Sequence, residues 1–150
     1  MTKSKQVGDG AAGLHDTAAR LRSTAAGLRG AAAEHLAADY LQARGLDILA
    51  RNLRCRVGEL DLVCLEGDVL VIVEVRQRSS MQFGGALASV TLRKQRRLIR
   101  AAQFHWQRTP GWRSRVIRFD VITIQTDTTP GSSSPSPRID WIRDAFRGST

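Results

Sequence analysis

The sequence predicts an α/β fold in which a mixed β-sheet is flanked by helices. Three observations lead there. Segments of helical and strand character follow one another in the order α-β-β-β-α-β-β. The stretch GELDLVCLEGDVLVIVEVRQR, Gly58 to Arg78, reads as two buried strands around a tight turn. At 150 residues the chain suits one domain, long enough to bury roughly 70% of its unfolded surface.

Each element has its own signal. Residues 1–29 read as an extension, disordered over 1–12 and partly helical beyond. Helical composition runs from Leu14 to Arg44, with Gly27 and Gly30 expected to break it in two. The second piece, Ala31 to Arg44, puts Ala33, Leu36, Ala37, Tyr40 and Leu41 on one stripe, with Glu34 at its edge. Gly45 is placed to end it. Residues 30–150 then read as a single domain. Three strands are expected at Leu46–Leu53, Glu59–Leu65 and Val69–Arg76, followed by a polar loop from Ser79 to Ser89. Thr91 is the expected N-cap of a second helix, with Leu98, Ile99, Ala102 and Trp106 as its buried face. Arg115 to Gln125 is a fourth strand, 126–137 a low-complexity loop, and RIDWIRDAF a short edge strand.

Composition narrows the function classes. Lys plus Arg number 23 against 14 Asp plus Glu, giving net charge +9 and pI about 11.1. Arg supplies 20 of those cations; only Lys3, Lys5 and Lys94 are Lys. A GC-rich genome also favours Arg over Lys, but accounts less well for the net charge. The planar guanidinium suits phosphate, so nucleic acid is the expected partner. No apolar run approaches the roughly 20 residues of a membrane span, and the N-terminus lacks a signal-peptide core. Cys55 and Cys64 have no metal or redox spacing and read as reduced thiols, which points to the cytoplasm. His15, His35 and His105 lie in no motif.

The buried hairpin holds the puzzle of the sequence. With Gly67-Asp68 as a two-residue turn, Glu66 faces Val69, Asp61 faces Glu74, and Glu59 faces Arg76. Strict alternation gathers these four charges on one face, opposite Leu60, Leu62, Cys64, Val71, Val73 and Val75. Two carboxylates about 5 Å apart repel by roughly 3 kcal/mol at an effective dielectric of 20. A shared proton, neighbouring cations or a bound divalent cation relieves this. A cross-strand salt lattice and a Mg²⁺ or Mn²⁺ site are therefore both open from spacing alone.

The blocks AAAEHLAADYLQARGLDILARNLR, GELDLV, VIVEVRQR, FGG, RKQRRL and RFDVI, in this order, resemble the YraN-like family of uncharacterised small bacterial proteins. The resemblance covers about Gly30 to Ile124. It implies a restriction-endonuclease-like fold, close to Holliday-junction resolvases. It also implies an active-site signature of an acid on one strand and Glu-x-Lys on the next. Carried over, Asp61 and Glu74 are the metal-holding acids and the Val75 carbonyl a third ligand of Mg²⁺ or Mn²⁺. Glu34 is an additional acid and Glu59 a supporting one. Arg76 stands where the signature has Lys. Arg stays protonated and can contribute only fixed charge. Ala33 departs from a Gly usual before the helix Glu. Related resolvases act on two strands, so the resemblance allows a homodimer.

Around the acids, Arg54, Arg56 and Arg78, with Arg93, Lys94, Arg96, Arg97 and Arg100 on the second helix, form an expected nucleic-acid-binding surface. Cations at a helix N-terminus oppose its dipole; phosphate contacts give a reason for them. The expected function is nucleic-acid binding with a nuclease-like metal site, as in a structure-selective endonuclease for branched or damaged DNA. A non-catalytic nucleic-acid-binding module and a protein-interaction module are the alternatives.

Overall fold

The structure is a computed structural model and describes residues 27, 29–78, 90–125 and 137–148. The expected helix before residue 27, the 79–89 loop and the low-complexity segment 126–136 lie outside these. The chain divides into two compact units, Met1–Ala32 and Ala33–Thr150. In the first, the described residues 27 and 29–32 are helical. All that follows concerns the second.

Helix α1 covers 33–42 of this unit; Gly30, in the first unit, is itself helical and not the break expected there. The helix ends as expected at Gly45, whose φ of +87° only glycine adopts freely. Strands β1 (Asp47–Cys55), β2 (Gly58–Glu66) and β3 (Val69–Arg78) form an antiparallel meander. Helix α2 (Leu92–Arg108) follows, capped by the Thr91 hydroxyl, which accepts from the Lys94 amide. A 3₁₀ turn (Pro110–Trp112) leads to β4 (Val116–Gln125), parallel to β3, and β5 (Arg138–Phe146) pairs antiparallel with β4. The sheet order is β1-β2-β3-β4-β5. One parallel junction among antiparallel ones makes it the mixed sheet of an α/β protein, consistent with a restriction-endonuclease-like fold.

Both faces of the sheet are dry, which explains why β2 and β3 read as near-continuous apolar runs. On one face Ala33, Ala37, Ala38 and Leu41 of α1 pack on Leu62, Cys64, Val71, Val73, Ile122 and Ile124. On the other, Leu98, Ala101 and Ala102 of α2 pack on Leu60, Val63, Leu70, Ile72 and Val121. The α1 stripe is rotated from the expected one, with Ala38 buried and Leu36 exposed. The α2 face is rotated similarly: Ala101 is fully buried, Ile99 and Trp106 half-buried. Small alanines on both helices allow the close approach that larger side chains would prevent. Cys64 is buried and Cys55 half-buried, both free thiols. Burial pushes the Cys64 thiol up to about 12, so it is inert.

The hairpin register is the expected one, from Leu62 opposite Val73 to Glu66 opposite Val69. Gly67 has φ +57° at the first central position of the turn, which a type II′ hairpin requires. Strict alternation, however, fails at the carboxylates. Leu60 packs with the α2 layer and Leu62 with the α1 layer, so Asp61 lies where β2 turns over. The neighbouring strand has an unusual backbone conformation at the same level. In β1, Asn52 adopts φ +50° between Arg51, opposite Leu62, and Leu53, opposite Leu60.

Candidate functional site

Because β2 turns over at Asp61, that side chain reaches sideways across the sheet instead of up or down. Its Oδ2 accepts from the Val75 backbone N–H at 2.9 Å. The regular β2–β3 pairing ends at Leu62 and Val73; beyond it, a carboxylate stands in for a backbone acceptor. The strands part there, and the gap holds the acids. Irregularities of this kind re-aim a side chain next to functional sites.

Glu74 points to the α2 face and is only 2% exposed. Asp61 Oδ2 is tied to the amide of the residue after Glu74, which brings the two carboxyl groups close together. Burial, followed by repulsion from Asp61, raises Glu74 to about 7. Burial also raises Asp61, against the opposing effects of the Val75 N–H and Lys94. Glu74 Oε2 is buried with no hydrogen-bond partner. An orphaned buried carboxylate oxygen costs stability, and a chain built only to be stable would replace it.

Glu34 comes from α1 to the same place. Its pKa is raised, chiefly by burial and further by repulsion from Asp61 and Glu59, with Asn52 and Arg51 opposing. Glu59 pairs with Arg54 at 3.0 Å. The pair expected between Glu59 and Arg76 does not form. Arg76 turns to Glu74 at a loose 3.7 Å, because the turn-over at Asp61 takes Glu59 out of register with β3. His35 Nδ1 lies 3.2 Å from Arg51 Nη1.

Lys94 is the residue whose place the sequence concealed. Grouped there with the basic surface, it instead reaches from the first turn of α2 to Glu74 Oε1 at 3.2 Å. One signal was available. From residue 33 onward the chain has 17 arginines and a single lysine. Asn52 was missed as well; a non-glycine at positive φ carries no sequence signature.

The remaining basic residues behave as expected of a surface. Arg93, Arg96, Arg97 and Arg100 are exposed, and their spacing of three, four and seven aligns them as one stripe on α2. Arg54 and Arg56 are exposed, and Arg78 is half-buried with interactions of its own. The first turn of α2 contains no acid. Asp120 takes no part in the site. It accepts from Arg118 through both oxygens at 2.8 Å, from Trp141 Nε1 at 3.0 Å and from the Asp144 amide at 2.9 Å.

Oxygen donors of this kind suit Mg²⁺ or Mn²⁺. Among the described residues no three His, Cys, Asp or Glu side chains form a ligand cluster. The oxygens at hand are those of the Asp61 and Glu74 carboxyl groups, which by themselves fall short of a full cage. Mg²⁺ keeps several of its waters, so two carboxylates with one orphaned oxygen fit it.

The family model described as uncharacterised protein family UPF0102 matches residues 33–124. A UPF0102 protein of Pseudomonas aeruginosa (strain LESB58) is 49% identical over 114 residues, 76% of this chain and 88% of the relative. A UPF0102 protein of Nitrosococcus oceani is 48% identical over 115 residues, 77% of this chain and 88% of the relative. The matched region takes in Glu34, Asp61, Glu74 and Lys94.

Proposed function

The chain belongs to the uncharacterised protein family UPF0102, and we propose that it is a nucleic-acid-binding protein with a nuclease-like metal site, acting as a Mg²⁺- or Mn²⁺-dependent, structure-selective endonuclease on branched or damaged DNA. The observation that carries the reading is the Asp61–Glu74 pair, a half-buried and a buried carboxyl with one Glu74 oxygen orphaned, met by Lys94 from the helix that carries the exposed arginine stripe. Acids alone repel a phosphodiester. Acids bordered by Arg93, Arg96, Arg97 and Arg100 sit where its charge is balanced.

Asp61, Glu74 and the Val75 carbonyl would hold the metal, which supplies Lewis-acid polarisation of a phosphate and a lowered pKa for bound water. The protein groups do the rest. The arginine stripe with Arg54, Arg56 and Arg78 holds the sugar-phosphate backbone without reading bases. Glu34 orients water from the α1 side. Arg76 adds positive charge where the phosphate becomes more negative.

The test is incubation of the purified protein with flap, fork and four-way-junction DNA in Mg²⁺ or Mn²⁺. Cleavage that disappears in Asp61→Ala is expected. An uncut panel, or cutting that survives that substitution, sinks the enzyme reading. The ion pairs of Glu74 with Lys94 and Arg76 favour a second reading, a non-catalytic nucleic-acid-binding module whose acids are neutralised by salt bridges alone. On that reading Asp61→Ala binds DNA as well as or better than the wild type, with no metal requirement.

A further inference from the structure

We propose that Lys94, delivered from α2, is the principal catalytic cation of this site and contacts the scissile phosphate, with Arg76 adding charge from its own strand in a secondary place. This deepens the nuclease reading and rests on it. Four observations carry the assignment.

The first is distance. Lys94 Nζ is 3.2 Å from Glu74 Oε1, within hydrogen-bond reach, whereas Arg76 Nη1 is 3.7 Å from the same oxygen and outside it. The second is nearness to both acids. The ammonium rests on Glu74, Asp61 is held at the neighbouring Val75 amide, and Lys94 favours the charged form of each. The third is anchoring. The Lys94 amide donates to the Thr91 capping hydroxyl at 3.3 Å, so its Cα is held in the first turn of a helix packed on β2. Arg76 is exposed near the end of β3. The fourth is composition. A chain with 17 arginines from residue 33 onward retains lysine at this one place. An ammonium is a compact charge with three rotatable donors. With one donor on Glu74 Oε1, two remain for a phosphate oxygen and the attacking water.

The step it serves is phosphodiester hydrolysis. Water adds to phosphorus as the bond to the departing sugar oxygen breaks, leaving a phosphate monoester and a sugar hydroxyl. The proton lost by the water passes to solvent, and the departing oxygen is protonated from solvent. Lys94 fixes the water beside Glu74 and stabilises negative charge on the phosphoryl oxygens.

The experiment compares wild type, Lys94→Met, Lys94→Arg, Arg76→Met, Arg76→Lys and Asp61→Ala on the DNA substrate that the wild type cuts best. Lys94→Met is expected to lose kcat by about 100-fold or more, the scale of removing one preorganised electrostatic donor, with KM changed less than about threefold. Lys94→Arg should recover part of that loss. Arg76→Met should cost at least tenfold less than Lys94→Met. Thermal melting, together with DNA binding measured in EDTA, separates a folding defect from a chemical one; Lys94→Met should keep both near wild type. Cleavage that needs Asp61 but survives Lys94→Met overturns this inference alone, as does a gain of tenfold or more in Arg76→Lys. A wild type that cuts no substrate overturns the nuclease reading and Lys94's role with it.

Discussion

Glu74 is the residue at which function and stability pull apart. Its carboxyl holds a proton more tightly in the folded protein than its ordinary value of 4.5 allows, reaching about 7 because it is buried beside Asp61. A raised pKa stabilises the protonated fold. That contribution is complete below pH 4.5 and is lost as pH rises through about 7. Ionising Glu74 therefore costs on the order of 3 kcal/mol of stability. Glu74→Gln keeps the shape and cannot ionise. In EDTA its unfolding free energy should gain on the wild type between pH 5 and 8, by about that amount. Parallel urea titrations check this; pH curves that run parallel for the two proteins contradict it. Mg²⁺ should raise the wild-type melting temperature at pH 8 and leave Glu74→Gln where it was.

At the scale of the element, α2 does two jobs from one periodicity. Leu98, Ala101 and Ala102 anchor it to the sheet, and the arginine stripe faces out. Four cations near its N-terminus are electrostatically misplaced for stability. Replacing Arg93, Arg96, Arg97 and Arg100 with Gln should leave melting unchanged or slightly higher. It should also lower the slope of log affinity for DNA against log salt by about 3 to 4. An unaltered slope in a binding titration would place the phosphate contacts elsewhere. The hairpin is the other informative element. Its register was readable because Gly67-Asp68 admits one tight turn and the apolar pattern holds both strands to it. Its loss of alternation was not readable. Leu60 and Leu62 look alike in sequence, and only packing against α2 and α1 separates them.

For the whole folded unit, integrity depends on polar ties as well as on its two apolar layers. Asp120, fully buried, gathers Arg118, the Trp141 indole and the Asp144 amide, joining β4 to the edge strand β5. Glu66 on β2 accepts from Arg118 and Arg143 at 2.6 Å each, which carries the tie across to the hairpin. Those cations hold the Glu66 carboxyl below its usual range. Asp120→Ala leaves donors on two strands without their acceptor. It should lower the unfolding free energy by about 3 kcal/mol, read from the urea midpoint. A loss under about 1 kcal/mol would mean that water replaces the carboxylate without penalty.

The α/β class, the order of the strands, the caps at Thr91 and Gly45 and the hairpin register were all determined locally. They follow from periodicity, turn chemistry and capping, which act over a few residues. That register pointed to Asp61 and Glu74 as neighbours, but the ladder ends at Leu62 and Val73, and Asp61 bonds the Val75 amide instead of facing Glu74 across the strands. The remainder of the site depended on residues far apart in the chain. Glu34 approaches the acids from another element, Asp61 turns sideways level with the positive-φ Asn52 of β1, and Lys94 arrives from a helix that begins beyond the hairpin. No local rule encodes those approaches. The packing of α1 and α2 on opposite faces of one sheet decides them, because it brings a helix N-terminus to the place where two strands part.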